Sequence, residues 1–302
     1  MKVYIITSAR YEECYIEEWV KHNLEIGFDK IIINDNNPKD YPYNPKDILK
    51  EYIDKGQVIV ERYWDDHEIN QLMTQEKQLG TVYMYLYNKY KDEFDWFAKL
   101  DIDEFIEIPE TNNDIKNFLQ QDKFNNALSI ILPLETQTVK DEYKIYYTRL
   151  KNNRDRFIEY SDAEYMFKSI IKKTDNLFGI GLHLAYFNNK NYIPYMLPNG
   201  DDATIKLFIC YPIESEIYIK RHKQYFKYLT SLLDICYIKH YSDRSVEENC
   251  LKMYKFECNK FNNDTNYTWY LELKEQYPDM FEHPRDLYKL YFIDNINNIQ
   301  ED

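Results

Sequence analysis

Residues 96–108 read WFAKLDIDEFIEI. The apolar residues Trp96, Phe97, Ala98 and Leu100 read as a buried strand, and Asp101, Asp103 and Glu104 follow with only Ile102 between them. Ionised carboxylates are costly to take out of water unless something positive meets them. Asp101 and Asp103 are two positions apart, a spacing that puts both side chains on one face of extended backbone. In a tight turn after a strand, both can approach one cation. Mg²⁺ and Mn²⁺ favour a few protein carboxylates plus phosphate oxygens and water. The chemistry suggested is a metal-held diphosphate, with the cation neutralising charge that builds on the leaving group. The same D-x-D pattern also occurs in acidic surface turns, so the surrounding elements must decide.

Those elements alternate. VYIIT (3–7) reads as a buried strand. Tyr15, Ile16, Trp19, Val20, Asn23 and Leu24 then mark one helix face, stopped by Gly27. KIIIND (30–35) is a second strand, DILKEYIDKG (47–56) a short helix closed by Gly56, QVIVERY (57–63) a third strand, and Glu68 to Lys91 a long helix. The opening stretch is the fourth strand. Continuous apolar strands alternating with helices indicate a parallel α/β sheet covered on both faces, in which ligands sit at the carboxyl ends of strands. Asp101, Asp103, Thr7, Ser8 and Asp35 lie at such ends. The second half reads as α+β. Strands are expected at 127–134, 164–173, 183–187 and 235–241, with a helix near 224–233 and another opened by a Ser245–Glu248 capping box.

The chain has 302 residues and a formal net charge of -14, with no long basic block, which argues against nucleic acid as a partner. Five scattered cysteines without a CxxC pair argue against structural zinc and fit a reducing compartment. No apolar stretch approaches the roughly 20 residues that span a bilayer. The expectation is a cytoplasmic protein with no transmembrane segment.

Four ordered blocks carry a family resemblance. They are YIEEWVKHNLEIGFDKIIINDNN (15–37), DWFAKLDIDEFIEI (95–108), MFKSIIKK (166–173) and IKHYSDRSVEE (238–248). In these the chain resembles GT-A fold glycosyltransferases related to families 2 and 92. The resemblance implies an α/β fold with a Rossmann-like mixed sheet flanked by helices and a small C-terminal helical extension. It implies a GT-A domain over 1–262, with a nucleotide-binding half (1–108) and an acceptor half (109–262), followed by the extension (263–302). It also implies a hexosyltransferase-type enzyme that uses Mn²⁺ or Mg²⁺ to move a sugar from a nucleotide diphosphate sugar, UDP-sugar first among them, to a glycan or other hydroxyl acceptor. Asp101, Asp103 and His240 would hold the metal. Thr7, Ala9, Arg10, Asp35, Asp101 and Lys168 would bind the donor. Asp103 and Arg244 would act on the diphosphate, with Asp202 as a candidate base beside Glu135, Asp201 and Asp243. The first strand departs from the family by ending in Thr7-Ser8-Ala9-Arg10, and the acceptor region around ILPLETQT (131–138) diverges.

Two rivals remain at this point. A haloacid-dehalogenase-type phosphatase also carries D-x-D after a strand, but Phe105 stands where that type has Thr or Val, and three strand units come first here. A nucleotide-binding module without catalysis is the other. Among the remaining residues, Trp19 and His22 read as packed core, and His183 as surface or core. The run Lys220-Arg221-His222-Lys223 reads as a solvated face, and Asp201-Asp202 as an acidic turn.

Overall fold

Alternate residues of β1 (Val3–Ala9) point to opposite faces, and both are apolar: Val3 and Ile5 on one side, Tyr4 and Ile6 on the other, all buried. That pattern suits a central strand covered by helices on both sides. The computed structural model describes residues 1–10, 12–37, 44–63, 75–144, 153–158, 163–181, 183–188, 195–203, 228–242, 245–246, 248, 275–276 and 278. Helix α1 (Ile16–Glu25) follows β1 and ends before Gly27, whose φ of 102° is open to glycine. Then come β2 (Lys30–Asp35), the short α2 (Pro45–Ile48) and α3 (Lys50–Asp54), and β3 (Val58–Glu61). Helix α4 (Gln75–Tyr90) occupies the later part of the expected long helix, the start of which lies outside the described residues. Its Val82, Tyr83, Leu86, Tyr87 and Tyr90 pack against Tyr4, Ile6, Ile32 and Phe97.

After β4 (Trp96–Lys99) come β5 (Glu104–Glu107), α5 (Ile115–Leu119), β6 (Ser129–Thr136), β7 (Thr138–Val139), β8 (Phe157–Ile158), β9 (Ala163–Lys172), β10 (Leu177–Ile180), β11 (Ala185–Phe187), β12 (Tyr195–Met196) and β13 (Tyr237–His240). The main sheet has nine strands in the order β3-β2-β1-β4-β9-β6-β13-β5, with β12 pairing on β6. Strands β3, β2, β1 and β4 run parallel, β9 is antiparallel to β4 and β6, β13 is parallel to β6, and β5 is antiparallel to β13. The fold is the expected α/β arrangement of a mixed sheet flanked by helices.

The stretch read as one strand, 96–108, is two. β4 and β5 are separated in the sheet order by β9, β6 and β13. In a flat sheet those four intervals at ~4.8 Å would put them about 19 Å apart. The five steps from Lys99 to Glu104 reach at most about 17 Å even fully extended, and here they fold into a turn closed by the Glu104 N–H donating to the Asp101 carbonyl at 3.1 Å. The sheet therefore curls, bringing its β5 edge back towards β4.

Helix α1 holds that edge. The Trp19 indole N–H donates to the Glu104 carbonyl at 2.8 Å, and His22 Nε2 donates to the Ile106 carbonyl at 2.9 Å. The His22 ring also meets the Phe105 ring edge-on at 5.1 Å. Carbonyls two apart on β5 face the same way, and residues three apart on α1 share a face, so the spacings match. Trp19 and His22 are buried, as core packing requires.

The chain divides into two compact units, 1–136 with 161–240, and 137–160 with 241–302. Within the second unit β7 pairs with β8, and the buried Arg156 guanidinium donates to both oxygens of Glu248 at 2.9 and 3.2 Å. The Ser245–Glu248 capping box forms, with Glu248 N–H donating to Ser245 Oγ at 3.2 Å and Ser245 N–H donating to Glu248 Oε2 at 3.0 Å. Nearly all of 263–302, the expected helical extension, lies outside the described residues, as does most of the helix expected after Ser245; of the helix expected at 224–233, residues 228–230 are helical, 231–233 form turns, and 224–227 lie outside the described residues.

Trp19→Phe keeps the ring and removes the donor, leaving a buried carbonyl unmet. Urea unfolding followed by circular dichroism should show a loss of about 1–3 kcal/mol with native secondary structure retained.

Candidate functional site

The turn after β4 lies among buried charges. Lys99 and Lys168 are only 3% and 2% exposed. Lys99 Nζ meets Asp101 Oδ1 at 2.8 Å, and Lys168 Nζ meets Asp101 Oδ2 at 2.5 Å. Lys168 Nζ also meets Glu104 Oε1 at 2.9 Å, while Glu104 Oε2 accepts the Asp101 backbone N–H at 2.9 Å. Two ammonium groups thus face two carboxylates, and the quartet is neutral. Removing one member would leave a buried charge without its counter-ion, which is the costly way to break such a set. Burial pushes the Asp101 carboxyl up, but Lys99 and Lys168 outweigh it and hold the group well below the usual carboxylate range. Burial and then Asp101 raise the Glu104 carboxyl against the pull of Lys168 and Lys99. Burial lowers Lys99, and Asp101 and Glu104 overcome this, so it stays charged.

Asp103 stands outside the quartet. One ligand atom each of Asp103, Glu104 and His240 lies within 4.8 Å of the others. Strand register brings His240 there. β13 pairs antiparallel with β5, so His240 stands opposite Glu104, and parallel with β6, so it stands beside Thr136. Ile238 fixes the register, because it is opposite Ile106 and Leu134 and all three are fully buried. A slip of one residue would turn His240 to the other face and a lysine into its place. Two carboxylate oxygens and an imidazole nitrogen this close suit a divalent first-row ion.

The other expected site residues are distributed as follows. Thr7 is buried, and its hydroxyl donates to the Leu100 carbonyl at 2.6 Å, tying β1 to the turn. Ala9 lines a small cleft at the carboxyl ends of β1 and β2 with Glu12, Glu13, Ile16 and Asn37, and Arg10 follows half-buried. Asp35 is buried beside that cleft. Its Oδ1 accepts the Asn37 N–H at 3.0 Å, and its Oδ2 lies 3.6 Å from Arg62 Nε. Lys168 is at the centre of the quartet, not on an open surface. Asp101 is in ion pairs with both lysines, and Glu104 is the second carboxylate that converges with Asp103.

Asp202 forms an isolated bridge to Met196 of β12, which pairs with Ile130 of β6. Thr136, the neighbour of His240, is six positions further along β6, about 20 Å of strand, so Asp202 is not among the converging groups. Its neighbour Asp201 accepts the Tyr228 hydroxyl at 2.5 Å and the Asn199 amide at 3.1 Å, and so holds the turn together. Glu135 is buried in β6, beside Lys239 in the register. His183 is exposed, with Nδ1 donating to the Phe167 carbonyl at 3.1 Å. Asp243, Arg244 and the basic run 220–223 lie outside the described residues.

Sequence reasoning missed Lys99 and the part played by Glu104. The signal for Lys99 was a lysine inside the apolar run WFAKL. The signal for Glu104 was a third carboxylate in series.

No protein-family model and no curated protein matches the chain. Among solved structures, S. aureus TarS aligns at 14% identity and a TM-score of 0.30, over 57% of this chain and 28% of TarS. A glycosyltransferase involved in glycosylation of the major capsid of PBCV-1 aligns at 12% identity and a TM-score of 0.28, over 80% of this chain and 93% of that one. The galactosyltransferase LgtC aligns at 10% identity and a TM-score of 0.26, over 45% and 46% of the two chains. This chain spans under a third of TarS and under half of LgtC. Likenesses this distant carry no argument about activity, and the functional reading rests on the site. Among the described residues no helix is long and apolar enough to cross a membrane.

Burial and the bond to Asp201 push the Tyr228 hydroxyl up to about 12. A raised group adds stability that is fully present below its unfolded pKa, ~10 for tyrosine, and is lost as pH rises towards 12. Urea unfolding at stepped pH should therefore show wild type losing more stability between about pH 10 and 12 than Tyr228→Phe, with the two curves parallel below that window.

Proposed function

We propose that the chain is a metal-dependent glycosyltransferase that moves a sugar from a nucleotide diphosphate sugar to an acceptor hydroxyl. The observation that carries this reading is the convergence of Asp103, Glu104 and His240, from one turn and a strand more than 130 residues later, at the carboxyl end of β4. The four sequence blocks that resemble GT-A enzymes of families 2 and 92 support it, since two of them supply the residues of this cluster and a third supplies Lys168, which pairs with Glu104.

Asp103, Glu104 and His240 would hold Mn²⁺ or Mg²⁺. When bound, the ion supplies positive charge against the diphosphate oxygens. Asp35 and the cleft at Ala9 lie at the carboxyl ends of β1 and β2, the edge where α/β sheets receive nucleotides. Arg62 fixes the Asp35 carboxylate through one oxygen and the Asn37 backbone through the other. Lys99 and Lys168 keep the turn closed and balance the charge of Asp101 and Glu104. In the reaction the bond from the anomeric carbon to the diphosphate oxygen breaks, its electron pair leaving with the diphosphate. A new bond forms to the acceptor oxygen, and the acceptor proton passes to a base. UDP-sugars are the first donors to test, with a glycan hydroxyl as acceptor.

The test is a thermal-shift series with UDP and GDP, each with and without Mn²⁺. A ligand held only by the folded state raises the melting temperature, by RT ln(1 + [L]/Kd) in free energy. A nucleotide shift that needs metal is expected in wild type, and Asp103→Ala should lose it while melting cooperatively. An Asp103→Ala protein that responds like wild type would overturn the site.

A further inference from the structure

Glu104 belongs to two sets at once. Its Oε1 is 2.9 Å from the Lys168 ammonium, and its carboxylate is also the buried member of the Asp103–Glu104–His240 cluster. Lys168 divides its charge between Glu104 and Asp101, with the shorter contact, 2.5 Å, to Asp101. The ammonium sits within the curl of the sheet, on β9, and reaches both ends of the turn that joins β4 to β5.

We propose that Lys168 is a built-in stand-in for the divalent ion: it neutralises Glu104 in the metal-free protein and hands that carboxylate over when metal enters. This rests on the metal-site reading above. A cation on Glu104 and the Lys168 ammonium repel one another across a few ångströms of poorly solvated interior, where Coulomb interactions are several times stronger than in water. Asp101 is the shared partner that retains Lys168 after the exchange, and Lys99 already fills its other oxygen. Metal entry therefore displaces charge along a prepared track, from Glu104 towards Asp101, without leaving a carboxylate bare in either state. Lys168 is on this account a positioning residue that lowers metal affinity. It also keeps the turn folded when no metal is bound.

The experiment is Mn²⁺ titration followed by the electron paramagnetic resonance signal of free Mn²⁺, on wild type, Lys168→Met and Asp103→Ala. Lys168→Met keeps the length and apolar stem of the side chain and removes its charge. The expected result is tighter Mn²⁺ binding by Lys168→Met, tenfold or more, with a larger Mn²⁺-induced rise in melting temperature than wild type shows, and weak binding by Asp103→Ala. Wild-type binding with equal or weaker binding by a folded Lys168→Met overturns the exchange and leaves the metal site standing. No binding by wild type or Lys168→Met overturns both. A measurement on unaltered protein guards against a variant that does not fold. With ¹⁵N-lysine labelling, buried ion-paired ammonium groups give slowly exchanging signals, assigned by Lys168→Arg and Lys99→Arg. Mg²⁺ should move the Lys168 signal further than that of Lys99. Equal movement, or none at a Mg²⁺ concentration that shifts the His240 ring signals, overturns the proposal.

Discussion

A connection of four residues joins two strands that are four places apart in the sheet. That constraint organises the rest of the first unit. The sheet must curl, because the chain from Lys99 to Glu104 is too short to bridge a flat one. A curled sheet has an interior, and the short connection turns Glu104 into it and leaves Asp101 half-buried at its mouth. Lys99 from the same strand and Lys168 from β9, both buried, meet these carboxylates. The same curl brings β5 against β13, which places His240 opposite Glu104. Geometry and charge are thus one problem with one solution.

The second unit is tied together differently. Arg156 and Glu248 form a buried, two-pronged ion pair, and Glu248 also accepts from the Ser245 backbone and hydroxyl. One carboxylate there serves both as capping partner and as counter-ion to a guanidinium. In both of these clusters the buried charge sits where several donors converge on it, the condition under which buried ion pairs are tolerable.

The parallel half of the fold was legible because its strands are continuous apolar runs punctuated by Gly27 and Gly56. β2 was read to the residue, and β9 and β13 nearly so. The break between β4 and β5 was not legible. WFAKL and EFIEI are both strand-like, and nothing in local pattern says that three other strands lie between them. Pairing partners are set by long-range register, which one sequence does not display. The same limit governed the site. Asp103 and His240 were singled out through motif order and lie close to one another, while Glu104, which joins them, was seen but given no task. Asp101 was assigned to metal because D-x-D spacing treats its two aspartates alike, whereas their surroundings differ: one faces two lysines, the other a histidine. Trp19 and His22 were read correctly as packed residues. What the spacing could not say is that their polar atoms hold β5 by its carbonyls.

The register of β13 has a consequence for how the molecule comes into being. The acidic turn is made early in translation, yet its imidazole partner at position 240 arrives well over a hundred residues later and must be threaded between β6 and β5. Pairings so distant in sequence are slow to form, because a long loop has to close before any contact rewards it. Until that strand docks, Asp103 and Glu104 have no histidine, and the edge of β5 held by α1 stands open on its other side. The cluster of Asp103, Glu104 and His240 therefore forms only once β13 has been made and has paired with β5.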